Sequence, residues 1–414
     1  MSEKIFAKNT KAASLEIAKL STQTKNKILT KVAHNLKERA GEIIAANKKD
    51  VGAAITGGLS AAKIDRLMLD EVRVNALSHA VLQIVDLEDP IGKITYDVNR
   101  ENGLHIQRVS VPIGVILAVY EARPNVTSDI AALGIKSGNA VILRSGKECF
   151  ATSKIIAEIY QNTLKEFGVN PDVVSYVPTT DRAFIQKLLK LDEFIDVVVP
   201  RGGKDLIKAI MKSTKIPVFK HLDGNCHTYI ESHADLTKAI KITMNAKLRR
   251  VGICGATESL LIDKKIANKF LPEIVNELIS GGCEIRGDAA SMKIDSRIIA
   301  ATNQDFYTEY LDKIISVKIV KNIDDAINHI NKYSSAHTES IITEDKVAAE
   351  KFLKEVNSAI VMHNASTQFA DGGEFGLGAE VGISTGKLHA RGPVGLEQLT
   401  IYKYVVRSEL ALRK

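Results

Sequence analysis

Apolar residues recur at helical spacing through the first part of the chain, and a pattern of period two follows it. Residues 11–53 place Leu, Ile and Val side chains at this spacing among Lys, Glu and Asn, and residues 65–86 continue the pattern. Such spacing predicts amphipathic helices. Residues 93–98 and 104–111 alternate apolar and polar side chains on both sides of an Asn/Gly turn, which predicts a β-hairpin.

Beyond the hairpin, short β-branched runs alternate with helical patterns. A first series gives predicted strands at 113–120, 140–143, 173–177 and 197–199, with helices at 129–136, 151–167 and 181–189. After residue 221 the alternation restarts, with predicted strands at 228–230, 259–262, 314–320, 340–342 and 359–362, and helices at 236–248, 266–279 and 323–333. This order predicts an α/β fold built from two doubly wound, Rossmann-like domains.

The end of the chain differs from both domains. Residues 364–395 contain eight glycines in thirty-two positions, which predicts a long loop, and residues 399–406 predict a final strand that pairs either with the early hairpin or with another subunit. We therefore expect domains at 1–220, 221–364 and 365–414. The hairpin at 93–111 and the final strand form an expected oligomerisation element, which indicates a homo-oligomer, a dimer or tetramer.

Composition narrows the class of protein. The chain has 414 residues, of which 45% are hydrophobic and 25% charged, and its net charge of +7 is spread along it rather than clustered. With no Trp and 5% aromatic residues, nucleic-acid binding is disfavoured. No run suits a membrane span or a secretory signal, and the four cysteines lack CxxC spacing, so we expect a cytoplasmic protein. No HxH or HxxxH pair occurs, and we expect no metal site.

Cys254 is the first candidate for chemistry. It lies in the run RRVGICGAT, where Gly255 lets a substrate approach the backbone and the preceding Arg249 and Arg250 favour a thiolate. The alternative for Cys254 is a small buried thiol, and the alternative for the arginines is favourable charge at a helix C-terminus. Asn125 follows a predicted strand, where its amide either donates to a developing oxyanion or serves as a turn residue.

Two further segments follow predicted strands and could contact phosphate. Arg144, Ser145 and Lys147 come after the strand at 140–143, where cationic side chains could meet a ribose or its 2′-phosphate. Gly202 and Gly203 precede a helix, and backbone N–H groups there could hold a phosphate. Both segments lack GxGxxG and Walker spacing, so the pattern alone is weak.

Together, six runs resemble the γ-glutamyl phosphate reductases, a branch of the aldehyde dehydrogenase superfamily. The resemblance extends over essentially the whole chain, and its longest run lies in the glycine-rich loop. The runs are VPIGVI (111–116), YEARPNVT (120–127), KSGNAVILRSGKE (136–148), HLDGNCH (221–227), ICGATE (253–258) and FGLGAEVGISTGKLHARGP (375–393). The expected fold is accordingly aldehyde-dehydrogenase-like, with two α/β domains and a small β oligomerisation element.

The resemblance implies roles for individual residues. Cys254 matches the catalytic cysteine of the superfamily, and Asn125 matches an Asn that holds the oxyanion together with a backbone N–H at the cysteine. Arg144 stands where the superfamily usually has a Lys that touches the adenosine ribose, and an arginine there suits the extra phosphate of NADPH. Glu309 resembles a Glu that binds the nicotinamide ribose. The implied cofactor is NADPH/NADP⁺, bound by the first domain.

His221 departs from the oxidising members of the superfamily. It stands 33 positions before Cys254, where those enzymes carry a glutamate that activates water to hydrolyse the thioester. A reductase gains from losing that base, because water would discard the acyl-enzyme. We expect His221 to orient the substrate or contact phosphate, and we expect an anion of the substrate at Arg249 and Arg250 or at Lys387 and Arg391.

The resemblance implies a function. The expected reaction is the NADPH-dependent reduction of L-glutamate 5-phosphate to L-glutamate 5-semialdehyde, with release of phosphate, through a cysteine thioester in L-proline biosynthesis. The glutamate kinase that makes the substrate is a conceivable partner. Two alternatives stay open: a hydrolytic NAD(P)-dependent aldehyde dehydrogenase, and a catalytically inactive dinucleotide-binding regulatory protein.

Overall fold

The chain folds into two compact units. A computed structural model describes residues 2–220 and 222–413, apart from the side chain of Ala62. The first unit comprises Met1–Lys220, Gly376–Gly382 and Val394–Lys414, and the second comprises His221–Phe375 and Ile383–Pro393. Residues 365–414 thus divide between the two units instead of forming a third, because their segments pair with different parts of the chain.

Five helices open the first unit, as the helical spacing predicts. Three of them begin at a side-chain cap: Ser2 accepts a hydrogen bond from Ile5 N, Ser21 accepts one from Thr24 N and Asp70 accepts one from Arg73 N. The helices are α1 (Glu3–Ile17), α2 (Thr22–Glu38), α3 (Ala40–Thr56), α4 (Ala61–Leu67) and α5 (Glu71–Asp86).

The predicted hairpin and the first α/β series follow. They consist of β1 (Ile94–Asn99), β2 (His105–Pro112), β3 (Val115–Tyr120), α6 (Asn125–Lys136), β4 (Ala140–Ser145), α7 (Phe150–Glu166), β5 (Val174–Tyr176), α8 (Arg182–Leu188), β6 (Val197–Arg201) and α9 (Lys204–Ser213). A parallel sheet of order β5-β4-β3-β6 forms the centre of the unit. Its register places Tyr120 beside both Ser145 and Arg201, so the carboxyl ends of β3, β4 and β6 meet at one edge.

The second unit is a larger parallel sheet of seven strands, in the order β10-β9-β11-β8-β7-β12-β13. The pattern predicts most of its elements but misses β9, β10, α12 and α14. The elements are β7 (Cys226–Ile230), α10 (Leu236–Leu248), β8 (Thr257–Asp263), α11 (Lys264–Ser280), β9 (Glu284–Gly287), α12 (Ala289–Ile294), β10 (Ile299–Ala300), β11 (Ile314–Val320), α13 (Ile323–Tyr333), β12 (Thr338–Ile342), α14 (Lys346–Glu355), β13 (Ile360–His363), β14 (Ile383–Ser384) and β15 (Gly392–Pro393).

Strand β8 is buried along its whole length, and its apolar residues Leu260, Leu261 and Ile262 follow one another instead of alternating with polar residues. Leu260 packs in the same cluster as Phe270 of α11. Leu261 points to the opposite face and packs in a cluster with Phe352 of α14. The alternation of side chains along a strand therefore covers both faces of the sheet with helices.

The final strand β16 (Thr400–Arg407) pairs antiparallel with β2, giving a three-stranded sheet of order β1-β2-β16. Of the two pairings left open by the sequence, the chain adopts the one with its own hairpin. Tyr402, Tyr404 and Val406 leave large parts of their side chains exposed on this sheet. Within the described residues, no helix is both long and apolar enough to cross a membrane.

The buried His329 makes the stability of the second unit sensitive to acid. The rings of His227 and His329 lie 5.6 Å apart, and His227 Nδ1 lies 3.0 Å from Glu339. Burial, aided by the charge of His227, lowers the pKa of His329 to about 2. The unfolded chain therefore binds a proton at this residue below about pH 6.5 while the folded chain does not.

We expect the free energy of unfolding to fall as the pH drops below about 6.5, with His329 contributing about 1.4 kcal/mol per pH unit. A His329→Leu variant should show a flatter profile in urea denaturation between about pH 7 and 5. The exposed His34→Gln variant is the control and should retain the wild-type slope. If the free energy of unfolding of His329→Leu depended on pH as steeply as that of the wild type, His329 would not be the source of the acid sensitivity.

Candidate active site

Asn125 begins α6 at the carboxyl edge of the first unit's sheet. Its Nδ2 donates a hydrogen bond of 3.0 Å to Asp129 Oδ2, one turn along the same helix. Burial raises the pKa of Asp129 to about 6, against the hydrogen bond from Asn125. The carboxylate holds the amide of Asn125 in one orientation, which leaves its second N–H available to an acceptor.

The turn before Asn125 is held in an unusual conformation. Ala122 has a φ of +42°, a value rare for a residue with a side chain. Its N–H donates to Glu148 Oε1 at 2.7 Å. A Cβ atom on Gly146 would lie 2.1 Å from that same carboxylate, so Gly146 leaves the space that Glu148 fills. The turns after β3 and β4 are therefore fixed to each other.

Arg144 and Ser145 end β4, and Lys147 follows them. The Arg144 Nε atom is buried and has no hydrogen-bond partner within the described residues, while Nη2 donates a long bond of 3.4 Å to Thr180 O. The side chain of Ser145 is buried, and its hydroxyl lies 2.6 Å from the Tyr176 hydroxyl. Arg144 and the exposed Lys147 are thus available to an anion, whereas Ser145 is engaged inside the unit.

Gly202 and Gly203 lie at the amino end of α9, as predicted. Gly203 N donates to Glu121 Oε2 at 3.2 Å, and a Cβ atom on Gly202 would lie 2.8 Å from the same oxygen. The Glu121 carboxylate therefore already accepts a hydrogen bond at the amino end of α9. A phosphate bound at this point would have to displace Glu121.

Cys254 lies in the loop between α10 and β8, at the amino edge of the second unit's sheet. Its side chain is partly buried and packs against a cluster that contains Ile360, Met362, Ala370 and Ile383. These residues belong to β13, the turn that follows it, and β14. The thiol therefore has an apolar wall, which limits the access of water to a group bound there.

The segment before β7 lies directly against Cys254. A Cβ atom on Gly224 would stand 2.0 Å from the Cys254 carbonyl oxygen, so only glycine fits there. The buried Cys226 donates through Sγ to the same oxygen at 3.1 Å. Glu309, predicted to bind a nicotinamide ribose, accepts a hydrogen bond from Gly224 N at 2.8 Å.

The predicted basic groups of the second unit lack carboxylate partners within the described residues. Arg249 Nε donates to Gln368 Oε1 at 2.9 Å, and Arg391 donates through both Nη atoms to Asn357. Arg250 and Lys387 are exposed. Each arginine keeps its positive charge uncompensated by an ion pair. His221 lies outside the described residues.

Sequence reasoning missed a buried ion pair between the helix before Cys254 and the strand after it. Lys247 of α10 and Glu258 of β8 are both fully buried and paired through Nζ and Oε2, and Glu258 also accepts a hydrogen bond of 3.2 Å from Leu311 N. Burial raises the pKa of Glu258 to about 7, although Lys247 opposes the shift. The run ICGATE contains Glu258, but nothing in it reveals that the side chain turns inward. Among the described residues no cluster of three His, Cys, Asp or Glu side chains could hold a metal.

Two parallel α/β sheets, with a cysteine loop at the amino edge of one, define an aldehyde-dehydrogenase-type fold. The model of the aldehyde dehydrogenase family matches residues 3–289, and the chain belongs to that family. It is 50% identical over 402 residues to a γ-glutamyl phosphate reductase of Rhodospirillum rubrum, covering 97% of this chain and 94% of that protein.

Solved structures agree with this placement and confirm the resemblance of the motifs. The crystal structure of a γ-glutamyl phosphate reductase from Thermotoga maritima superposes with a TM-score of 0.98 at 43% identity, and each chain is covered completely. An acetylating aldehyde dehydrogenase from Geobacillus thermoglucosidasius shares the fold, with a TM-score of 0.70 at 19% identity over 100% of this chain and 97% of that one.

Enzymes of the aldehyde dehydrogenase family use nicotinamide dinucleotide cofactors. One feature of the first unit fits the binding of a nicotinamide dinucleotide. Within the described residues the buried Nε of the half-buried Arg144 has no hydrogen-bond partner, and this guanidinium beside the exposed Lys147 suits a phosphorylated ribose.

Proposed function

We propose that the protein reduces L-glutamate 5-phosphate to L-glutamate 5-semialdehyde with NADPH and releases phosphate, as in L-proline biosynthesis. The observation that carries the proposal is the partly buried Cys254, followed by Gly255 and packed against Gly224, in a chain half identical to γ-glutamyl phosphate reductases along nearly its whole length. The glutamate kinase that supplies the acyl phosphate stays a predicted partner.

In the proposed mechanism, the Cys254 thiolate attacks the acyl carbon and phosphate leaves, so a thioester remains on Sγ. The resemblance implies that the Asn125 amide and a backbone N–H at Cys254 donate hydrogen bonds to the oxyanion. Bound NADPH supplies the hydride. The thiol is regenerated when the C–S bond breaks and the aldehyde is released, and the apolar wall beside Cys254 protects the thioester from water meanwhile.

We assign the anionic groups of the substrate to the uncompensated cations of the second unit. Arg249 and Arg391 are held by neutral amide side chains, which orient each guanidinium without cancelling its charge. A carboxylate and a phosphate both favour such groups, because guanidinium N–H groups match their oxygens. His221 keeps its predicted role in substrate orientation.

The reaction in reverse tests the proposal without the labile acyl phosphate. Glutamate semialdehyde and NADP⁺ are incubated with and without phosphate, and the appearance of NADPH is followed by absorbance. We expect a strict requirement for phosphate, because phosphate must resolve the thioester. Equal rates without phosphate would mean that water resolves it, and the protein would then be a hydrolytic aldehyde dehydrogenase.

Arg144 should set the preference for NADPH over NADH. Replacing it with alanine is expected to raise the KM for NADPH by about 10- to 100-fold, the effect of losing a charge-assisted hydrogen bond, while the KM for NADH stays the same. Steady-state kinetics with both cofactors measure the effect. The exposed Arg182→Ala variant in α8 is the control. An equal rise in the KM for NADPH and for NADH would contradict a contact between Arg144 and the 2′-phosphate of NADPH.

We also propose that the sheet β1-β2-β16 is covered by a second copy of this chain. Its exposed Tyr402, Tyr404 and Val406 form an apolar surface of the kind that associates in water. Sedimentation velocity should show a dimer or tetramer, and Tyr404→Glu combined with Val406→Glu should shift it toward monomer. A monomeric wild-type protein would overturn the proposal.

A further inference from the structure

Glu309 lies where its carboxylate reaches the segment before β7, which packs against the loop that carries Cys254. Its Oε1 accepts the hydrogen bond from Gly224 N at 2.8 Å, although 85 positions separate the two residues in sequence. A carboxylate that accepts from a backbone N–H forms a strong, charge-assisted bond. Glu309 therefore fixes the backbone of Gly224.

Gly224 in turn is in direct contact with the backbone of Cys254. A Cβ atom there would lie 2.0 Å from the Cys254 carbonyl oxygen and 2.6 Å from its Cα atom. Cys226 adds a hydrogen bond to the same carbonyl, and Cys226 N donates to Gly224 O at 2.8 Å. Any shift of Gly224 must move Cys254 or collide with it.

The segment that carries Glu309 is itself anchored at both ends. Before it, Asp305 accepts hydrogen bonds from Arg286 Nη1 at 2.8 Å and from the Tyr310 hydroxyl at 2.9 Å. After it, Leu311 N donates to the buried Glu258. A carboxylate on so constrained a segment can hold its partner at a defined position.

We propose that Glu309 is a positioning residue for Cys254, acting through Gly224. The inference rests on the proposed function only in taking Cys254 as the nucleophile. The bond from Glu309 keeps Gly224 pressed against the Cys254 backbone, and the thiol and the N–H groups around it thereby keep the geometry that acylation needs. Displacements of the order of 1 Å in such a site cost up to about 100-fold in rate.

Acylation of Cys254 without any cofactor separates this role from cofactor binding. p-Nitrophenyl acetate acylates a reactive thiol and releases p-nitrophenolate, and the rate of the burst reports the first step alone. We expect Glu309→Ala to acylate about 10- to 100-fold more slowly than the wild type. Glu309→Gln retains an oxygen that accepts from Gly224 N, so its rate should stay within about threefold of wild type.

Three controls make the test decisive. Asp312→Ala removes an exposed carboxylate from the same segment and should not change the burst. Gly224→Ala should slow acylation while Glu309 is intact, and it tests the contact if Glu309→Ala fails to fold. The dissociation constant for NADPH, measured by fluorescence titration, should stay at the wild-type value in Gly224→Ala although its burst is slowed.

A wild-type burst in Glu309→Ala, or in Gly224→Ala, would overturn the proposal. A Glu309→Gln variant as slow as Glu309→Ala would overturn it too, because the charge or basicity of the carboxylate would then matter instead of the hydrogen bond. If the wild type shows the burst but does not turn over glutamate 5-phosphate, the proposed function fails while the positioning role stands.

Discussion

Replacing Cys254 with alanine is expected to lower kcat for the reduction of glutamate 5-phosphate by a factor of about 1,000 or more. Without the thiol no thioester can form, and the remaining groups only bind and orient the substrate. The dissociation constant for NADPH should stay unchanged, because Arg144 and Lys147 belong to the other unit. Oxidation of NADPH measures turnover, and fluorescence titration measures binding.

Cys283→Ala serves as the matched control for Cys254→Ala. Cys283 is a buried thiol in the same unit, packed in the cluster that includes Leu260 and Phe270. Burial raises its pKa to about 11, so it stays protonated and unreactive. Its variant should retain full turnover. Unchanged turnover in Cys254→Ala would instead return the protein to the class of dinucleotide-binding proteins without covalent catalysis.

Breaking the buried pair of Lys247 and Glu258 should be the most damaging single change to stability. Lys247→Met leaves the carboxylate of Glu258 buried without its partner, and the free energy of unfolding should fall by about 3–5 kcal/mol. Urea denaturation with intrinsic tyrosine fluorescence measures the loss. The double variant Lys247→Met with Glu258→Leu should recover most of it, because an apolar pair leaves no buried charge.

The cost of Lys247→Met should also depend on pH. Burial raises the pKa of Glu258 to about 7 even beside Lys247, and removing Lys247 raises it further. A folded-state pKa above the unfolded value gives stability that is present at low pH and lost as the pH rises through the folded value. The variant should therefore lose more stability at about pH 8.5 than at about pH 6. A loss independent of pH would show that Glu258 does not titrate in this range.

The periodic elements of the fold could be predicted from sequence, whereas the short and weakly patterned ones could not. A long apolar stripe marked α11, and a run of three apolar residues marked β8, which is buried along its whole length. Helix α14 buries only Ala349 and Phe352, which is too narrow a stripe to stand out. Strand β9 has four residues and exists because β10 and β11 pair with it.

In the candidate site too, some features of single residues could be predicted from the sequence and others could not. The motif around Cys254 marked it as the candidate nucleophile, since a thiol beside glycine is a local signal. Ser145 shows the limit of such signals: it stands in a segment with Arg144, but its hydroxyl faces the Tyr176 hydroxyl inside the unit. In the first unit Asn125 follows the carboxyl end of β3 and Arg144 stands at that of β4, as predicted, whereas Cys254 lies at the amino edge of the second sheet.

The sequence by itself determined the order of most helices and strands, the family, and Cys254 as the candidate nucleophile, because each of these depends on neighbours in the chain. Only the tertiary structure decided that Gly224 lies against Cys254, that Glu309 holds Gly224, and that Lys247 and Glu258 share a buried charge pair. These contacts join residues from different elements, and local pattern carries no information about which side chains packing will bring together.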